Sequence, residues 1–154
     1  THNKVENFKK LIKRLHNHGM IVQGGIIFGF DEDKPDIFDL TLEKMSDLGM
    51  DVVEVNILTP YPGTPLFDRL EKAGRIISRD WARYNQVEVV FQPKHMTPEE
   101  LFEGARKVSK EFYSPLNIIR RTVKIIKYTK SPMGFFPAGG NLSYRRYYKR
   151  DFNF

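Results

Sequence analysis

Near the start of the chain, apolar residues recur at three- and four-residue steps. Val5, Phe8, Leu11, Ile12 and Leu15 share one side of a 3.6-residue period, and Gly19 offers a left-handed stop. An amphipathic helix is therefore predicted from Val5 to His18. The pattern then changes: Met20 to Phe30 (MIVQGGIIFGF) is a nearly continuous apolar run rich in β-branched side chains, which predicts a buried strand. Helical spacing returns from Asp36 to Leu48, with Ile37, Phe38, Leu40, Leu42, Met45 and Leu48 as the stripe and Gly49 as the stop. Asp51 to Leu58 (DVVEVNIL) predicts a second strand. Prolines at 60, 62 and 65 make TPYPGTP a loop, and Leu66 to Ala73 a short helix ended by Gly74.

Buried strands joined through helices require a parallel sheet with right-handed crossovers. Two such strands make a poor core alone, so further strands are expected from elsewhere in this chain or from sequence outside it. The second half reads differently. Val87 to Phe91 is a candidate third strand. Thr97-Pro98-Glu99-Glu100 is a capping box with proline at the first helical position, opening a helix that runs to about Tyr113 and breaks at Ser114-Pro115. A second helix, Leu116 to about Tyr128, sets Ile118, Ile119, Val123, Ile125 and Ile126 against Arg120, Arg121, Lys124 and Lys127. Ser131 to Phe154, ending YRRYYKRDFNF, has no clear period and reads as an irregular aromatic-basic tail.

Composition narrows the classes. In 154 residues, 40% hydrophobic and 29% charged content describe a folded protein with room for a real core, not a disordered chain. No apolar run approaches the ~18–20 residues of a membrane span. There is no cysteine, which fits a reducing, cytoplasmic setting and excludes a thiolate-held iron–sulfur cluster or Cys-type zinc site within this chain. The net charge of +6 conceals a division: residues 1–103 carry 13 basic and 17 acidic side chains, residues 104–154 carry 12 and 2. The basic end is expected to face something negative, such as nucleic acid, a membrane surface or an acidic neighbour, or to be a solvated helix face.

Candidate chemistry collects where the two strands end, since parallel α/β folds bind ligands at the carboxyl ends of their strands. Gly24, Gly25 and Gly29 let a flat ligand approach the backbone or let strands pack closely. Asp31, Glu32 and Asp33 are either polar anchors for such a ligand or a solvated turn. The three-proline loop can hold a rigid rim, and Thr64 is also the expected cap of the following helix. Neither GxGxxG nor GxxxxGK[ST] occurs. His16 and His18 fall on different helix faces, while His2 and His95 stand alone, so no histidine metal site is expected. Trp81 and Tyr84 read as core or loop anchors.

The stretch GIIFGFDE, Gly25 to Glu32, resembles the GxIxGxxE pattern on the fifth strand of radical S-adenosylmethionine (SAM) enzymes. ILTPYPGTPLF, Ile57 to Phe67, resembles their sixth-strand region. DRLEKAGRI, DWARYN, VVFQPKHMTPEEL and EFYSP follow in the order of the C-terminal extension of cobalamin-binding members, those similar to Mg-protoporphyrin monomethyl ester cyclases and lipid methylases. The resemblance covers roughly residues 5–115.

The resemblance implies an α/β fold: a partial TIM-like (βα) barrel fragment, its last two strands with their helices, followed by a mainly helical extension. Residues 1–75 would be the end of the barrel, 76–130 the extension and 131–154 the tail. It also implies SAM and a [4Fe-4S] cluster at the strand ends, the cluster passing an electron to SAM to give a 5′-deoxyadenosyl radical, with cobalamin as a methyl carrier in that branch. By motif position Gly25, Ile27 and Gly29 would line the adenine side of SAM, Glu32 would fix the loop beneath it, and the backbone near Leu58 and Thr59 would pack against the same base. No catalytic residue and no metal ligand is assigned to this chain. The cluster cysteines and first strands are absent, so the expectation is an inactive C-terminal piece. Its partners would be the missing barrel and cobalamin domain, a small-molecule or lipid substrate, an anionic membrane surface or a second copy. The rival readings are a nucleic-acid-binding module, with Arg145, Arg146, Lys149 and Arg150 between Tyr144, Tyr147 and Tyr148, and a structural docking segment.

Overall fold

The computed structural model describes residues 5–129 and 136–152, so His2 and the first residues of the basic tail lie outside the described part. The described chain is α/β and mostly helical. Its elements are α1 (Val5–Asn17), β1 (Gln23–Phe28), α2 (Ile37–Leu48), β2 (Val52–Ile57), α3 (Pro65–Lys72), a 3-10 turn (Trp81–Arg83), α4 (Pro98–Phe112), α5 (Pro115–Thr129) and α6 (Phe136–Asp151). β1 and β2 pair in parallel, from Gln23 opposite Val52 to Phe28 opposite Ile57, with α2 as the crossover.

The caps written in the sequence form. Thr64 Oγ1 accepts from the Phe67 N–H at 3.3 Å. At the start of α4, Thr97 Oγ1 accepts from the Glu100 N–H at 3.1 Å while Glu100 Oε2 accepts from the Thr97 N–H at 2.7 Å. Gly19 and Gly49 end α1 and α2 in the left-handed region. Asp36 precedes α2 but makes no side-chain cap.

Three readings need correction. The first strand is not buried on both faces: Gln23, Gly25 and Ile27 are exposed, while Phe28 turns into the core. Helices α2 and α4 cover one side of the pair only, with Phe28, Phe38, Met45, Val53, Val55, Ile57, Leu101, Ala105 and Val108 in a single cluster. Val87–Phe91 forms no strand among the described residues. It makes one antiparallel bridge, Ile76 with Phe91, supported by Ile77 N–H to the Val90 carbonyl at 3.0 Å and Gln92 N–H to Arg75 at 2.7 Å. Gln86, held at φ 66°, and Pro93 limit the extended run on either side. The tail is not irregular from residue 136: α6 spans 16 residues. Its buried residues Pro137, Asn141 and Tyr148, with Phe152 just past its end, recur at helical steps, a period that Gly139, Gly140 and the surrounding cations disguise.

The free edge of β2 explains why α6 is there. Along a parallel strand, alternate residues turn their N–H and C=O away from the neighbour. On β2 those residues are Val53, Val55 and Ile57. The Tyr113 hydroxyl accepts from the Val53 N–H at 3.1 Å and donates to the Val53 carbonyl. The Tyr148 hydroxyl accepts from the Val55 N–H at 2.6 Å and donates to the Val55 carbonyl at 3.3 Å. The Gln86 carbonyl takes the Ile57 N–H at 2.7 Å. Burial pushes both phenols well above their usual pKa, so they remain neutral and able to donate. The two rings pack directly on each other, Tyr144 stacks against both, and Tyr148 stacks in turn on Phe152.

A second anchor sits just before β2. Asp51 Oδ2 accepts from the Val22 N–H at 2.9 Å and lies 2.9 Å from His16 Nε2, and Oδ1 accepts from the Tyr128 hydroxyl at 2.6 Å. Asn141 donates to the Asp51 carbonyl at 3.3 Å, and His16 stacks on Tyr128 with centroids 4.2 Å apart. One residue thus ties α1, β1, α5 and α6 together.

Replacing Tyr148 with Phe removes the hydroxyl and leaves a buried N–H and C=O unsatisfied. The expected loss is about 1–3 kcal/mol of stability by urea unfolding, with Tyr113→Phe in the same range. A Tyr148→Phe midpoint equal to that of the parent would refute the edge assignment.

Candidate cofactor-binding face

The strand pair presents one uncovered face. Pairing register sets Gly25 beside Glu54 and Ile27 beside Asn56 on it, with Gln23 nearer the strands' start. A Cβ built on Gly25 meets no heavy atom within 4 Å, so the backbone there is open to a ligand, and Ile27 beside it is 47% exposed. Gln23 donates to the Tyr144 hydroxyl at 3.1 Å, so α6 closes the lower end of this face and leaves the carboxyl end clear. Phe30 and Tyr61 add exposed aromatic surface beyond the strands.

The remaining sequence-predicted residues fall into distinct settings. Gly29 is buried at φ 109°, and a Cβ there would come 3.0 Å from Leu101, 3.1 Å from Phe91 and 3.4 Å from Leu58. Its glycine identity is required by the backbone turn and by the core. Leu58 donates its N–H to the Phe28 carbonyl at 2.8 Å and is half-buried. Thr59 is buried with its hydroxyl donating to the Ile57 carbonyl at 3.0 Å. Glu32 is exposed on the loop and makes no hydrogen bond or ion pair among the described residues. Gly25 and Ile27 are therefore together on the open face, Gly29 and Leu58 adjoin at its carboxyl edge, and Glu32 stands apart.

The loop is fixed by the two neighbouring aspartates. Asp33 Oδ2 accepts from the Gly29 N–H at 2.8 Å and the Phe30 N–H at 3.0 Å. Asp31 is held by Arg75, at 2.7 Å, and by Arg69 of α3. The Arg75 hydrogen bond, aided by Arg69, keeps the Asp31 carboxyl below its ordinary pKa against the opposing effect of burial. Sequence reading missed Glu54 and Asn56. Their signal was the alternation V-E-V-N-I inside the second strand, which marks one polar face.

The basic end is also partly committed inward. Arg121 donates to the Phe112 carbonyl at 2.7 Å and to Asn141 at 2.9 Å, and its guanidinium lies over the Phe112 ring. Burial lowers its pKa to about 10, still charged at neutral pH. Tyr144 is stacked on Tyr113, and Tyr148 packs tilted against it and is buried, which withdraws Tyr148 from any base-stacking surface. Tyr84 is buried and donates to Ser78, and Trp81 packs edge-on against it while staying exposed.

Residues 64–148 match a family described as a domain of unknown function, DUF4070, and the chain belongs to that family. It is 32% identical over 119 residues to bacteriochlorophyllide d C-12(1)-methyltransferase of Chlorobaculum tepidum, covering 77% of this chain and 26% of that protein. It is 29% identical over 79 residues to hopanoid C-2 methylase of Rhodopseudomonas palustris, 51% of this chain and 15% of that one. It is 28% identical over 105 residues to anaerobic magnesium-protoporphyrin IX monomethyl ester cyclase of Cereibacter sphaeroides, 68% and 17% respectively. The chain thus spans about a quarter or less of the length of these curated relatives. The resemblance to radical SAM methyltransferases and cyclases read from the sequence is borne out.

Two outcomes follow. Gly29→Ala should destabilise the fold by roughly 1–3 kcal/mol through a strained left-handed backbone and the crowding at Leu101, measured by chemical denaturation. Because the folded-state pKa of Asp31 is depressed, its contribution is present above the ordinary carboxylate pKa of 3.8 and is lost as pH falls through the lower folded value. The stability gap between the parent and Asp31→Asn should therefore be full at pH 6 and close on acidification below about pH 4. A gap independent of pH would contradict the ion-pair account.

Proposed function

We propose that this chain is the C-terminal part of a radical SAM enzyme, its β1–β2 pair being the last two strands of a partial (βα) barrel. The observation that carries this is the inequality of the two strand edges. The outer edge of β2 is closed by tyrosine hydroxyls, while no strand among the described residues pairs with the far edge of β1. A parallel sheet can continue only across β1, and the preceding strands of the same polypeptide are the occupants that the family relationship favours. A second copy of the chain is the competing occupant.

Gly25 provides a Cβ-free backbone on which the adenine of SAM can lie flat, with Ile27 as its apolar flank and Leu58 beside it. Glu54 and Asn56, opposite Gly25 and Ile27, supply hydrogen-bonding groups for the nucleoside's hydroxyl and amino groups. SAM, when bound, supplies the reactive group for the radical reaction. The cluster does not fit here: the sequence has no cysteine, so no step is assigned to it on these residues. Cobalamin use belongs to the same proposal with no contact assigned. The names of the relatives favour a substrate of tetrapyrrole or hopanoid size that undergoes methylation or ring closure.

The test is equilibrium binding of S-adenosylhomocysteine by the full polypeptide that carries this chain. Gly25→Leu should raise the Kd at least tenfold with an unchanged unfolding midpoint, since space at this position is free. A Kd within twofold of the parent would remove the adenine from this face.

A further inference from the structure

Between α5 and α6 runs a groove of about 510 Å3 that the proposed SAM site does not use. Its walls are aliphatic: Ile118, Ile119, Val123, Ile126, Ala138 and Leu142. Of these, Ile119 is 59% exposed, and Val123 and Leu142 are also open to solvent. The groove's two polar side chains are committed elsewhere, Thr122 donating to the Ile118 carbonyl at 2.8 Å and Arg145 to the Tyr113 carbonyl at 2.8 Å. Almost no polar surface faces the groove.

The two helices around it carry eight basic side chains and one acidic. Arg120, Lys124, Lys127, Arg146 and Lys149 have no carboxylate partner among the described residues. Helical spacing places Lys127, Arg146 and Lys149 beside the groove: Lys127 follows Val123 and Arg146 follows Leu142 by four residues, and Lys149 lies on the face of Leu142 and Arg145. Arg120 and Lys124 lie on the other side of α5, facing the end of α2, with Lys124 Nζ beside Gly49. Arg121 is excluded because its guanidinium is used inside the fold.

Aliphatic surface without polar readout, bordered by uncompensated cations, matches the chemistry of a lipid interface better than that of a protein groove. We propose that the α5–α6 face docks on an anionic bilayer surface, the aliphatic side chains entering the headgroup–acyl boundary and the cations meeting lipid phosphates. This is an interfacial contact, as no described helix is long and apolar enough to cross a membrane.

The test is cosedimentation of the full polypeptide with vesicles of phosphatidylcholine alone and of phosphatidylcholine mixed with phosphatidylglycerol. Binding is expected only to the anionic vesicles and should fall with added salt. Lys127→Gln and Lys149→Gln should each weaken it about fivefold. Ile119→Ser with Leu142→Ser should weaken it about tenfold or more at unchanged salt sensitivity. These positions are on the surface, and an unchanged unfolding midpoint confirms intact folding. Continued S-adenosylhomocysteine binding by the variants separates this result from the fate of the SAM site. Absence of binding, equal binding to both vesicle types, or undiminished binding by the variants would overturn the proposal. So would slow amide exchange across the exposed face of α5 that vesicles leave unchanged, which would assign the groove to another part of the same polypeptide.

Discussion

A buried strand edge must find partners for every second N–H and C=O, and in this chain that requirement falls on β2. A hydroxyl is suited to the task because it donates and accepts at once. Tyr113 and Tyr148 each serve both groups of one residue, on Val53 and Val55. The positions of α4's end and of α6 follow from that need. Tyr113 is the residue on which α4 stops, and Tyr148 sits where a helix crossing the sheet edge must place its buried face. The row of rings that joins them makes the closure apolar on its outside and polar on its inside.

Much of the fold was legible because local chemistry announced it. Capping by Thr64 and by the Thr97–Glu100 pair, the stops at Gly19 and Gly49, and the apolar stripes of α1 and α2 are each decided within a few residues of sequence. What was not legible depended on partners far away. The β1 run looked buried on both sides because apolar content cannot reveal how many layers cover a sheet. The α6 helix was hidden because its glycines and cations blur the period. Its reason for existing, the unsatisfied groups of Val55, lies 93 residues earlier. Val87–Phe91 had the composition of a strand and found only a single bridging partner.

The candidate site shows the same division at smaller scale. Within one motif, Gly25 and Gly29 look equivalent in sequence, yet the first leaves empty space and the second fills a left-handed turn against Leu101 and Phe91. Similarly, Asp31 and Asp33 shape the loop through Arg75 and through backbone amides, while Glu32 between them faces solvent. A motif position therefore records either contact with a ligand or the geometry that presents it. Only coordinates separate the two.

The junction at Asp51 bears on the order in which the molecule assembles. Its carboxylate meets His16, 35 residues before it, and Tyr128, 77 residues after it; its carbonyl meets Asn141, 90 residues after it. Closing loops of that span carries an entropic cost that nearby contacts do not, so these bonds belong late in folding. During synthesis the helix–strand unit emerges long before its C-terminal clasp. Until Tyr128, Asn141 and Tyr148 leave the ribosome, β2 carries an open edge and the Asp51 carboxylate lacks its hydrogen bond from Tyr128. The basic end of the chain is thus the latch that completes the sheet, and the interval before it closes is when the nascent protein is most exposed to wrong strand pairing.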